Sequence, residues 1–247
     1  MVRRAVEVGG RRISYWEAGP RDGSVVVLIH GLASDSGTWD RAIGPLAERG
    51  LWVIALDLIG HGESAKPAGG YLLDDFAASL SAFVAALGVR GATICGHSLG
   101  GAIAVHFAYH YPDQVDRLVL VSAGGLGREV HLLLRAAALP GAPKLLELAM
   151  RPGLTRLYRQ PALHRALRLT PENLVNLGRA GRALGEPAGR AAFFAALRGV
   201  IAPAGQRGSF IEMQYLAEYV PTMFVWAEGD GVIPVAQAHA AREHLPD

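Results

Sequence analysis

Gly96-His97-Ser98-Leu99-Gly100-Gly101 constrains the fold more than any other stretch, because the apolar β-rich run Ala92-Thr93-Ile94-Cys95 enters it and a helical pattern leaves it. A chain that passes from strand to helix within two residues must turn sharply and hold Ser98 in a strained backbone conformation. The residues two before and two after that serine must then be small, or neighbouring backbone collides, and Gly96 and Gly100 meet the demand. This is the layout of a nucleophile elbow. In a chain with 31 glycines the pentapeptide by itself decides little, so its surroundings carry the reading.

Those surroundings alternate. Val2 to Val8 and Arg12 to Glu17 read as a hairpin about Gly9-Gly10, and Val25 to Ile29, Val53 to Leu56, Ala92 to Cys95 and Leu118 to Val121 read as buried parallel strands. Helical periodicity fills Trp39 to Arg49, Leu73 to Leu87 and Leu99 to Tyr111. The rhythm predicts an α/β fold with a mostly parallel, doubly wound sheet, whose function lies beyond the carboxyl ends of its strands. His30-Gly31, Asp57, Ser98, Ser122 and Asp230 all fall at such ends.

From Gly125 to about Tyr215 the alternation gives way to Leu/Ala/Arg-rich helical segments broken by prolines, and Thr222 to Trp226 then resumes the strand pattern. The expected organisation is a core of residues 1–124 and 216–247 with a helical lid, residues 125–215, inserted between two strands. The Leu132-Leu133-Leu134 and Leu145-Leu146 faces of that insert are expected to be packing surface. The insert carries 13 Lys/Arg and 5 Asp/Glu, a surplus of 8, so the remainder of a chain with net charge +2 carries −6. Arginines spaced on amphipathic helices read as solvated faces, and no nucleic-acid motif accompanies them.

The hydrophobic fraction of 51% supplies a large core, and no run approaches the roughly 20 apolar residues that cross a bilayer. The segment after Met1-Val2-Arg3-Arg4 has no secretory pattern, and Cys95 is a single cysteine in an apolar strand, so the expected address is the cytoplasm and the thiol is expected to be inert. No residue pattern calls for a cofactor or a metal.

Four motifs in order carry a resemblance: His30-Gly31, then Asp57-x-x-Gly60-x-Gly62-x-Ser64, then Gly96-x-Ser98-x-Gly100-Gly101, then Trp226-x-x-x-Asp230-x-x-x-Pro234. Over essentially its whole length the chain resembles the α/β-hydrolase superfamily, in its lidded serine-hydrolase branch. The resemblance implies that Ser98 attacks a substrate carbonyl, that the backbone N–H groups of Leu32 and Leu99 form the oxyanion hole, and that Asp230 orients the base. Glu228 is the rival acid, closer to the strand end but off the family's spacing, and Asp57 reads as a structural turn. The implied partner is a small-molecule ester or carbonyl compound. Hydrolysis of a carboxylic ester through an acyl-Ser98 intermediate is the first expectation. Carbon–carbon bond hydrolysis of dienone acids is the alternative, suggested by Ser122-Ala123-Gly124-Gly125-Leu126-Gly127, and a non-catalytic binding protein is the rival from another class.

The family's order of serine, acid and histidine places the base one helix and one strand beyond Asp230. Val235 to Leu245 reads as that helix, so the expectation is a sequence that stops before the catalytic histidine, the last strand and the closing helix. None of the nine histidines takes the missing place in this reading: His30 and His61 sit in turns, His97 points away from its neighbour, and His106 and His110 lie turns down the helix after Ser98. His131 and His164 fall in the insert, and His239 and His244 in the final helix.

Overall fold

The computed structural model describes residues 1–149, 171–207 and 219–243. A sheet of seven strands runs in the order β1 (Val2–Val8), β2 (Arg11–Ala18), β4 (Trp52–Leu56), β3 (Val25–Ile29), β5 (Ala92–His97), β6 (Val115–Val121), β9 (Thr222–Val225). The first hairpin pairs antiparallel, as does β2 with β4, and every later pair is parallel. The mostly parallel sheet is the one that the alternating sequence implied.

Two-sided burial explains the unbroken apolar run of β3. Val27 and Ile29 face a cluster with Ile54, Ile94 and Phe83, while Val26 and Leu28 face a second cluster with Val53, Ala55, Cys95 and Ile43. Alternate residues of one strand thus serve both layers, which is why the run is Val/Ile/Leu-rich and shows no polar alternation. Burial pushes the Cys95 thiol up to about 12, leaving a side chain that packs and does not ionise.

Helices α1 (Asp40–Ala47), α2 (Leu73–Ala86) and α3 (Leu99–His110) cover the sheet. α2 buries Phe76, Ala77, Leu80, Phe83 and Val84, the one-sided stripe of an amphipathic helix. α3 buries nine of its twelve residues, from Leu99 to Val105 and then Phe107 and Ala108. Only a narrow strip near its carboxyl end, including Tyr109 and His110, reaches solvent. A helix apolar nearly all round is a central helix, and this one follows Ser98 directly.

The insert begins with α4 (Leu132–Ala137) and α5 (Ala142–Ala149), continues with α6 (Pro171–Gly185) and α7 (Pro187–Val200), and then differs from the helical expectation. Ile201–Ala202 (β7) and Gly205–Gln206 (β8) form a two-stranded antiparallel ribbon, too short to produce any periodic signal. The leucine faces also differ from expectation. Leu134 and Leu146 pack on the cluster of Ala138, Phe194, Leu197 and Ile201, whereas Leu132, Leu133 and Leu145 are about 70% exposed. The guanidinium of Arg179 ties α6 to the core, donating to the Gly37 carbonyl at 2.5 Å and pairing with Asp35 at 3.4 Å and Asp40 at 3.2 Å.

β9 is the outermost strand of the sheet among the described residues, with Met223 and Val225 exposed. The helix expected over Val235 to Leu245 is α8 (Ala236–Arg242), and residues 244 and 245 of that expectation lie outside the described residues. No described helix is long and apolar enough to cross a membrane.

Candidate active site

Ser98 stands at φ 54°, ψ −117°, a conformation that L-residues avoid, at the joint between β5 and α3. Its backbone is held from several sides. The Ser98 amide donates to the Val121 carbonyl at 3.0 Å, and the Ser98 carbonyl accepts from Gly101 at 3.0 Å and Gly124 at 2.9 Å. A Cβ on Gly96 would lie 2.2 Å from the Gly100 carbonyl oxygen, and one on Gly100 would lie 2.3 Å from the Ile29 carbonyl oxygen. Both glycines are therefore required by close backbone approach, as the motif's spacing predicts.

Gly31 presses on the same joint, since a Cβ there would lie 3.1 Å from Ser98 Cβ and 3.2 Å from His97 Nδ1. The preceding His30 is fully buried and fixes this loop. The Leu58 amide donates to His30 Nε2 at 3.0 Å, so the ring proton sits on Nδ1, which donates to the Gly31 carbonyl at 2.7 Å. Burial holds His30 below its ordinary pKa despite Asp57 and Asp35 nearby, and this uncharged tautomer is the one the two bonds require.

Asp57 is wholly buried. Its carboxylate accepts from the amides of Ser36 at 2.8 Å and Glu63 at 2.9 Å and pairs with Arg3 at 2.6 Å. These bonds join β1, the segment after β3 and the turn after β4, which agrees with a structural turn.

Leu32, Ser98 and Leu99 share the wall of a cavity of about 480 Å³, together with Ala102, Leu134, Phe193 and Ile233. The wall is predominantly apolar; His131, Gln206 and Arg207 are among its few polar members. Leu99 is the first residue of α3, so its N–H has no carbonyl a turn earlier within the helix to bond, and it adds to the positive end of the helix dipole.

Asp230 does not line that cavity itself; it shapes the loop that does. Its Oδ1 accepts from the amides of Val232 at 2.8 Å and Ile233 at 3.0 Å, and both residues reach the cavity wall. Burial pushes the carboxyl up, but the Ile233 amide, the Ser122 hydroxyl, the Val232 amide and His97 together hold it below the ordinary carboxylate range. Ser122, at φ 42°, is a partner of Asp230, a pairing that its position at a strand end did not reveal. Gln206, on the cavity wall, also has a role that no sequence signal carries: its side chain bridges the Gly125 amide, at 2.8 Å, to the Glu129 carbonyl, at 3.0 Å. Glu228 is exposed and has no comparable anchoring. His97 Nδ1 is buried with no hydrogen-bond partner, and no histidine among the described residues is hydrogen-bonded to Ser98 or Asp230.

The elbow, the parallel sheet and the loop after β9 define an α/β hydrolase. The family model described as alpha/beta hydrolase fold matches residues 24–247, and the chain belongs to that family. It is similar to an uncharacterized protein of Mycobacterium tuberculosis, 37% identical over 97% of this chain and 70% of the relative. It is also similar to the 2-hydroxy-6-oxo-6-(2'-aminophenyl)hexa-2,4-dienoic acid hydrolase of Metapseudomonas resinovorans, 32% identical over 100% of this chain and 81% of that enzyme. Among solved structures, a bacterial membrane phospholipase A matches with a TM-score of 0.73 at 28% identity, over 99% of this chain and 75% of that one.

Proposed function

We propose that the protein is a carboxylic ester hydrolase that acts through an acyl-Ser98 intermediate. The observation that carries this reading is the strained Ser98 backbone at the floor of an apolar cavity, with the Leu99 amide at a helix N-terminus beside it. Ser98 Oγ adds to the ester carbonyl while a base takes its proton; the oxyanion is held by the N–H groups of Leu32 and Leu99; collapse expels the alcohol, and water then releases the acid. Asp230 is the acid that orients the imidazole of the base. Residues 125–215 act as a lid whose α4 and α7 contribute Leu134 and Phe193 to the acyl-binding wall.

The apolar wall favours an uncharged ester over a dianionic substrate, because a desolvated carboxylate needs a paired cation. Carbon–carbon bond hydrolysis is the second reading, supported by the similarity to the dienoic acid hydrolase and by Arg207 at the wall. A panel of p-nitrophenyl esters assayed beside a dienone acid, using the protein encoded by the full gene, separates the two. Turnover of the esters with covalent fluorophosphonate labelling that disappears in Ser98→Ala supports the esterase reading. Labelling that survives Ser98→Ala, or turnover of the dienone acid alone, overturns it.

A further inference from the structure

Near the carboxyl end of α3, two helices bring together three side chains, one of which is distant in sequence from the other two. Asp74 is the second residue of α2, and His106 and His110 stand one turn apart at the exposed end of α3. His106 Nδ1 lies 3.0 Å from Asp74 Oδ1, and His110 Nε2 lies 3.2 Å from the same oxygen. One atom from each residue falls within 4.8 Å of the other two.

We propose that Asp74, His106 and His110 form a binding site for a divalent transition-metal ion of the zinc, nickel or copper type. The donor set decides the class: two imidazole nitrogens and one carboxylate oxygen suit borderline ions, whereas magnesium and calcium take mostly oxygen. The spacing fits as well. Bonds of about 2.0 Å to a tetrahedral ion set its ligands about 3.3 Å apart, close to both nitrogen–oxygen separations here. Histidines at i and i+4 on one helix face converge on a single point, and the carboxylate from the neighbouring helix completes a three-ligand face open to solvent.

Binding requires each imidazole to be neutral with its proton on the ring nitrogen that does not face Asp74. The ion would take the place of the protons that His106 Nδ1 and His110 Nε2 donate to Asp74 Oδ1, each ring keeping a proton on its other nitrogen. The ion would clip α2 to α3 some turns away from Ser98, roughly 12 Å along the helix axis for eight residues, and so would touch no reacting atom. Its role is to brace the helix that carries the elbow.

The experiment is isothermal titration of the full-length, tag-free protein with zinc chloride, followed by thermal melts with and without zinc. One ion per chain should bind with micromolar affinity, and a hundredfold excess over the dissociation constant should raise the melting temperature by about 5 °C or more. Asp74→Asn and His110→Ala should each weaken binding at least tenfold and abolish the thermal shift while leaving the circular dichroism spectrum unchanged; His239→Ala serves as a control that should bind as the parent does. Absence of saturable binding, or unaltered affinity in both Asp74→Asn and His110→Ala, overturns the assignment.

Discussion

The Leu58 amide donates to Nε2 of His30 at 3.0 Å, and this bond ties the loop beside Ser98 to the turn after β4 only while the imidazole is uncharged. Its neighbour His61 lies 5.2 Å away ring to ring and is likewise buried, its pKa pushed down to about 3 chiefly by burial. Both rings thus stay neutral in the folded protein well below the pH at which an unfolded histidine takes up a proton.

Acid should therefore destabilise the protein before its carboxylates titrate. The unfolded chain binds protons that the folded chain refuses once the pH falls below about 6.5, so stability is complete above that value and declines beneath it. For His61 the decline continues to about 3. Each fully resisting histidine contributes roughly 1.4 kcal/mol per pH unit, or about 2 kcal/mol for His61 by pH 5. Urea unfolding at pH 7.5 and pH 5 measures this, and His61→Gln should flatten the slope by about one proton. An unchanged slope in that variant would refute the assignment.

Glycine substitutions should divide sharply by position. Gly96→Ala places a Cβ 2.2 Å from the Gly100 carbonyl oxygen and should destabilise by about 3 kcal/mol or more, visible as loss of soluble protein or a much lower melting temperature. Gly44, exposed in α1 with no atom within 4 Å of its Cβ position, should tolerate alanine and gain roughly 0.5–1 kcal/mol.

Replacing Asp57 by alanine leaves the Ser36 and Glu63 amides without their acceptor and takes from Arg3 its buried partner, leaving it Glu63 and Ser14. The expected loss is about 3 kcal/mol in denaturant unfolding, with Asp57→Asn recovering part of it. A loss of activity without loss of stability would instead give Asp57 a role in the chemistry.

Asp230→Ala should lower ester turnover by about 10³–10⁴-fold, since an imidazole without its acid partner adopts the wrong tautomer. Glu228→Ala, at an exposed position, should stay within a few-fold of the parent. Steady-state kinetics on both variants decides between the two acids, and the reverse ranking would move the role to Glu228.

Local chemistry determined much of this protein. The five apolar residues of β3, the stripe of α2 and the glycines around Ser98 each state their own structure, because burial on two faces, burial on one face and close backbone approach leave distinct marks on neighbouring residues. The sequence thus revealed the sheet, the elbow and its order relative to Asp230. Short pairings left no such mark: the ribbon of β7 and β8 is two residues on each side, below the length at which alternation can be read. Nor did contacts between distant segments. Ser122 beside Asp230, Gln206 bridging Gly125 and Glu129, and Asp74 beside His106 and His110 join residues up to 108 positions apart in sequence. Such pairs have no period or spacing of their own; only the pairing of β6 with β9, the folding of the insert on itself and the packing of α2 on α3 bring their polar atoms within hydrogen-bond range.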